Sequence, residues 1–347
     1  MIGVASETPA ASAIELIFSQ RWRAFTHFMA RVGATQGKDD AEMVHRLRIA
    51  ARRIEAIGDA FSDRLPGDTF HDLFSAVAQI RKACGGVRDH DVRLELLKSL
   101  IIRASPRNAI GLAVLCWKIA VERRRARRRL GKKLCKLHAP CQRLARAAAG
   151  EMAAAAAYST TCGDTFGALG LRAVRQSFDR LWRRVTRRKQ TARRLHELRI
   201  RCKTARYTLE TVAGVVHEQF REEVYPQLQE LQDVLGAYHD AIAMGNLLHH
   251  MRRQCLKAAP GRWTRRRQLR RQWLRRGIDA ALSAVAKQAT RAHAEFQQRR
   301  ATWASSAFRE ALDERLARTG SVEFREEISQ NDDAAPAEPE PIHDAGR

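Results

Sequence analysis

Residues 195–212 read LHELRIRCKTARYTLETV, with His196, Arg199, Lys203 and Arg206 at offsets 0, 3, 7 and 10. An α-helix turns about 100° per residue, so these four fall at about 0°, 300°, 340° and 280°, inside an arc of about 80°. Leu198, Cys202, Ala205, Leu209 and Val212 fall on the other side. The spacing predicts an amphipathic helix with one apolar stripe and one cationic stripe. Surface helices usually mix signs, because like charges one turn apart cost stability. No acid interrupts this stripe between His196 and Arg206. Such a row of donors suits the gripping of an anion. The bland alternative is a solvated basic face.

The pattern occurs twice. Residues 44–61 read VHRLRIAARRIEAIGDAF. With His45 placed on His196, an offset of 151 residues, Arg48 meets Arg199 and Arg52 meets Lys203. Leu47, Ala51 and Ile54 then meet Leu198, Cys202 and Ala205. Glu55 meets Arg206, so the first stripe is shorter, although Arg53 adds charge beside it. The same offset puts CGGVRDHD (84–91) on LGAYHDAI (235–242), Gly85 on Gly236 and Asp89 on Asp240. A register kept this far reads as an internal duplication, each copy about 150 residues long.

These strings, VHRLRIAARR, CGGVRDHDV, LHELRIRCKTARY and LGAYHDA, resemble the CHAD domain family, the conserved histidine α-helical domain. The resemblance spans roughly residues 12–318. It implies an all-α fold of two pseudo-symmetric four-helix bundles packed around a central basic cavity, with inorganic polyphosphate as ligand. Departures are Glu55, His239 where the first copy has Arg88, and Ala241–Ile242 where it has His90–Asp91.

Composition points the same way. The 347 residues hold 63 Lys plus Arg against 38 Asp plus Glu, a net of +25. Residues 321–347 carry eight acids and two bases, so the remainder carries 25 + 6 = +31. That excess resists compaction and calls for a polyanionic partner. Only 11 of the 63 cations are Lys. Arg offers a planar fork that grips phosphate oxygens in pairs. A GC-rich genome explains part of the ratio but not the excess charge. The seven Cys are scattered, without a CxxC pair, which suits reduced thiols. Cys135, His138 and Cys141 lie within seven residues, but no set of four ligands emerges, and no metal or cofactor is expected. Cys135 and Cys141 read as packing residues at a helix break before Pro140. The N-terminus lacks a signal-peptide pattern, and no run of eighteen apolar residues occurs, so a cytoplasmic protein with no membrane contact is expected. Granule association is what the resemblance implies.

Helix formers dominate residues 12–318. The expected organisation is a disordered stretch over 1–10, a first half over 11–157, a second half over 158–320, and an acidic disordered tail over 321–347. The bland reading of the tail is solubilisation; the sharper one is a weak competitor for the basic cavity. Gly85–Gly86 and Gly236 read as turns. Asp89 and Asp240 would then start helices and cap them, the favoured reading; the other is that each holds an Arg of the stripe.

The candidate polyphosphate-binding set is His45, Arg48, Arg52, Arg53, Arg81, Lys82, Arg88, His196, Arg199, Lys203 and Arg206, with Arg124 and Arg128 from the run RRRARRR at 123–129. Only part of that run, and of RRRQLRRQWLRR at 265–276, can face one way. No catalytic residue and no enzyme activity is expected, because no second carboxylate or metal-binding acidic set accompanies the stripe. The alternative is nucleic-acid binding, with Trp263 and Trp273 stacking bases inside the second Arg run. Against it, aromatics are only 6% and no RNP or zinc-finger spacing occurs.

Overall fold

The computed structural model describes residues 4–34, 40–65, 67–158, 165–257 and 265–320. Among these the chain is helical throughout, with one isolated antiparallel bridge between Pro9 and Thr165. The helices are α1 (Ala10–Ala34), α2 (Asp40–Phe61), α3 (Gly67–Ile102), α4 (Pro106–Tyr158), α5 (Phe166–Val185), α6 (Ala192–Thr211), α7 (Glu218–Lys257), α8 (Arg265–Trp303) and α9 (Ser306–Gly320). Local chemistry sets several ends. Thr165 caps α5 by accepting from the Ala168 N–H, and Thr191 caps α6 by accepting from the Arg194 N–H. Residues 321–347 lie outside the described residues.

Each of α1 to α4 packs on the next, and α4 returns to α1. The helices α5 to α8 pack in the same succession, and α9 closes on α5 and α8. The two sets meet through α2 on α6, α1 and α2 on α5, and α4 on α8. One apolar core runs through both sets, from Phe18, Leu47 and Ile54 to Phe178, Leu198 and Leu228. A second core fills the far ends of the α3–α4 and α7–α8 hairpins, around Leu97, Leu115, Leu248 and Ile278. There α4 and α8 cross at Gly111 and Gly277, where a Cβ on either would overlap the other helix's backbone. Glycine is the residue that lets two helices come so close.

Three expectations are corrected. Gly85, Gly86 and Gly236 are not turns, because α3 and α7 run straight through them. Asp89 and Asp240 therefore sit in mid-helix and cap nothing. The α4 helix also continues through Pro140, with Leu137, Cys141 and Ala145 buried on either side of it. Their burial offsets the roughly 3 kcal/mol that an interior Pro costs. Cys141 packs there, whereas Cys135 is exposed. Finally, residues 4–9 are held in place. The carbonyls of Ser6 and Thr8 accept from Gly167 and Phe166 at 2.8 and 2.9 Å, and Val4 is buried. The first turn of a helix has N–H groups without intrahelical acceptors, and this strap supplies them for α5.

Candidate anion-binding site

The two striped helices meet. On α2, Leu47, Ala51 and Ile54 are fully buried; on α6, Leu198, Cys202 and Ala205 are. Anchoring those faces turns His45, Arg48 and Arg52 of α2, and His196, Arg199 and Lys203 of α6, to the other side. There Arg48 lies close enough to Arg199 and Lys203 to depress the ionisation of both, and Arg52 presses on Lys203 as well.

The two central arginines each face a glycine of the neighbouring helix. A Cβ on Gly85 would stand 3.7 Å from the Arg48 Nε, and one on Gly236 would stand 3.9 Å from the Arg199 Nε. Each guanidinium thus lies along the bare backbone of the neighbouring helix, α3 for Arg48 and α7 for Arg199. Both Nε atoms are buried without a hydrogen-bond partner. Buried donors are almost always satisfied, so these two donors suit an added acceptor.

Carboxylates border the cluster without neutralising it. Asp240 and Asp89 both favour the charged form of Arg199. Their place in mid-helix excludes capping, and they offset part of the Arg199 charge from a distance. Burial raises Asp240 above the usual carboxylate range despite Arg199, and Asp89 adds to the rise. Glu55, the odd residue of the first stripe, binds Arg81 at 2.7 Å and Arg52 at 3.5 Å and so brings Arg81 to the cluster. Burial and then three arginines push Lys203 down to about 7. A buried ammonium among guanidiniums is costly unless an anion joins them.

The histidines stand at one end of each stripe. Nδ1 of His196 and Nδ1 of His239 lie 3.2 Å apart, with ring centres 4.7 Å apart. One ring donates and the other accepts. Burial, then Arg199, His196 and Lys203, push His239 down to about 4. Burial and then Arg199 and Lys203 also lower His196. His45 is lowered by burial and then Arg88, which itself binds Glu95 at 3.1 Å. All three rings are therefore neutral near pH 7 in the ligand-free protein.

Some expected members lie elsewhere. Arg53 faces away from the stripe and binds Glu210 of α6 at 2.9 Å. Glu210 is buried, accepts from the Tyr225 hydroxyl at 3.0 Å and lies 3.5 Å from Arg206. Arg206 thus closes the end of its stripe against an acid. Glu210 lies one turn beyond Arg206 at about 320°, so helix geometry could have found it. Lys82, Arg124 and Arg128 are exposed, and none is among the charges that shift the cluster. On α4 it is Arg123 and Arg127 that turn inward. Arg123 binds Asp91 and Asp40 at 2.5 and 2.9 Å, and Arg127 binds Asp40 at 2.6 Å. They tie α4 to α2 and α3. Trp263 lies outside the described residues; Trp273 is half-buried, with Arg276 over its ring.

Among the described residues no helix is long and apolar enough to cross a membrane. No curated protein matches the sequence. The fold is similar to the crystal structure of the CHAD domain from the plant Ricinus communis, at 21% identity and a TM-score of 0.61, covering 83% of this chain and 94% of that one. It is also similar to PptA from Streptomyces chartreusis, at 18% identity and a TM-score of 0.58, covering 84% of this chain and 99% of that one. The profile of one family, the CHAD domain, matches residues 20–249, about two thirds of the chain, and the chain belongs to that family.

Proposed function

We propose that this chain is a non-catalytic receptor for inorganic polyphosphate. The phosphates would lie in a basic cavity between α2 and α6, formed by duplicated halves that face each other. One observation carries this reading: Arg48 and Arg199, 151 residues apart, lie over Gly85 and Gly236, also 151 apart, with both buried Nε atoms unpartnered. Two matched guanidiniums whose buried Nε–H groups lack acceptors suit a repeating anion that needs no base-reading contacts. Arg52, Arg81 and Lys203 extend the row, and the three histidines become further donors once an anion favours their charged form. The CHAD family's association with polyphosphate-related proteins supports the same ligand. The place of binding in the cell is the cytoplasm, on polyphosphate granules.

Calorimetry with long-chain polyphosphate at physiological salt tests this. Each charged hydrogen bond lost costs about 1.5–3 kcal/mol, so Arg48→Met with Arg199→Met should weaken binding by about a hundredfold or more. Circular dichroism checks that the helices persist. Affinity should also fall steeply with salt, by analogy with counterion release from nucleic acid. Unchanged affinity in the double variant, or easy displacement by excess RNA, overturns the proposal. Phosphate release with Mg²⁺ overturns the non-catalytic part.

A further inference from the structure

A cleft of about 270 Å³ opens on another face of α2, between it and α1. Arg21 of α1 and Arg46 and Arg53 of α2 line it, with Ala24, Phe28 and Ile49 among its apolar walls. On α2, Ile49, Arg53 and Arg46 fall between about 40° and 100° when His45 is at 0°. The stripe of His45, Arg48 and Arg52 falls between about 300° and 360°. The cleft is therefore a separate place from the central cluster.

Its charges do not balance. Glu210 faces three guanidiniums: Arg53 and Arg206 reach its carboxylate, and Arg21 donates to its backbone carbonyl at 3.2 Å. Arg46 is offset by Glu42 at 2.7 Å. Two carboxylates thus meet four guanidiniums. The Arg21 Nε is buried and has no hydrogen-bond partner. Burial and then the charge of Arg53 make the Arg21 cation costly, and Glu210 restores only part of the loss.

We infer that this cleft is a second anion site, built for a small phosphate ester that carries an apolar or aromatic group. The phosphate would bridge Arg21, Arg53 and Arg46, using donors that Glu210 and Glu42 leave over. The organic part would lie on Phe28, Ala24 and Ile49, where bare polyphosphate has nothing to offer. Aromatic rings stack well on both phenyl and guanidinium faces. The volume lies just below that of ordinary small-ligand pockets, about 300–1,000 Å³, which limits the occupant to a single ring with its phosphate. The inference stands independently of polyphosphate binding.

Calorimetry of the full chain with phenyl phosphate, inorganic phosphate and inorganic triphosphate tests it. Phenyl phosphate should bind at least tenfold tighter than inorganic phosphate. Arg21→Gln should abolish that preference. Ala24→Leu should abolish it too; Ala24 is exposed on α1, so that change fills the cleft without disturbing the core. Polyphosphate affinity should stay within twofold in Ala24→Leu. Phenyl phosphate binding no tighter than phosphate, or binding that survives Ala24→Leu, overturns the inference. So does triphosphate matching phenyl phosphate with equal sensitivity to Ala24→Leu, because the cleft would then belong to the polyphosphate groove.

Discussion

If polyphosphate binds as proposed, Lys203 makes that binding a proton-coupled event. In the ligand-free protein its amine titrates near 7, because burial and then Arg199, Arg48 and Arg52 oppose its charge. A polyanion laid along the stripe removes that opposition and returns the amine towards the ordinary value of about 10.4. The lysine's share of the proton uptake should then be about 0.1 at pH 6, about 0.5 at pH 7 and about 0.9 at pH 8, with the histidines adding theirs chiefly at the acid end. Integrated over that range, the lysine weakens affinity about tenfold between pH 6 and pH 8. Long-chain polyphosphate suits the measurement, since its internal phosphates stay ionised throughout. Calorimetry in HEPES and in Tris, whose heats of ionisation differ, counts the protons directly. Lys203→Arg carries a charge that does not titrate in this range, so it should remove the tenfold component and the uptake at pH 8. Equal pH slopes and equal uptake in the wild type and the arginine variant would refute the reasoning. The ligand-free stability follows with its own sign. The folded value lies below the unfolded one, so the lysine's contribution rises with pH from about 7 to about 10 and is least favourable below 7.

Other expectations follow from the packing. Gly85→Ala should stabilise α3 by up to about 1 kcal/mol and keep polyphosphate affinity, because its Cβ would stand 3.7 Å from Arg48. The larger Gly85→Leu should push that guanidinium aside and cost tenfold or more in affinity with helicity unchanged. Arg123→Met strips the buried Asp91 of its cation and leaves Asp40 to Arg127 alone, and should cost about 3–5 kcal/mol in urea unfolding. Its exposed neighbour Arg124→Met should stay within about 0.5 kcal/mol. Burial pushes the Cys84 thiol up to about 12 and the Cys202 thiol higher still, so a native-state disulfide reagent should label exposed Cys135 well before either. Simultaneous labelling of all three would contradict the packing of α3 and α6.

Much of this arrangement is legible in the sequence because helical periodicity is strong where one face is buried. The 100° spacing finds both stripes, and the offset of 151 residues pairs Arg48 with Arg199 before any coordinates are seen. The glycines defeat the same reasoning. A Gly–Gly pair ordinarily ends a helix, but α3 continues through Gly85–Gly86 and α7 through Gly236, where Arg48 and Arg199 lie beside the small residues. The Arg run at 123–129 fails for a related reason. Charge alone does not say which arginines meet buried acids, and Asp40 and Asp91 lie 83 and 32 residues from Arg123. Arg53 is a third case: a cation beside the stripe serves a different carboxylate because a step of one residue turns a helix by about 100°.

The strap at the beginning of the chain has a consequence for synthesis. Val4 rests against the backbone of Gly214, and Ser6 and Thr8 against the start of α5. Ser6 and Thr8 therefore have no docking place until residues about 160 positions further on are made, and Val4 none until those about 210 positions on. Closing this strap is thus a long-range contact, which joins residues 4–8 to a part of the polypeptide made much later.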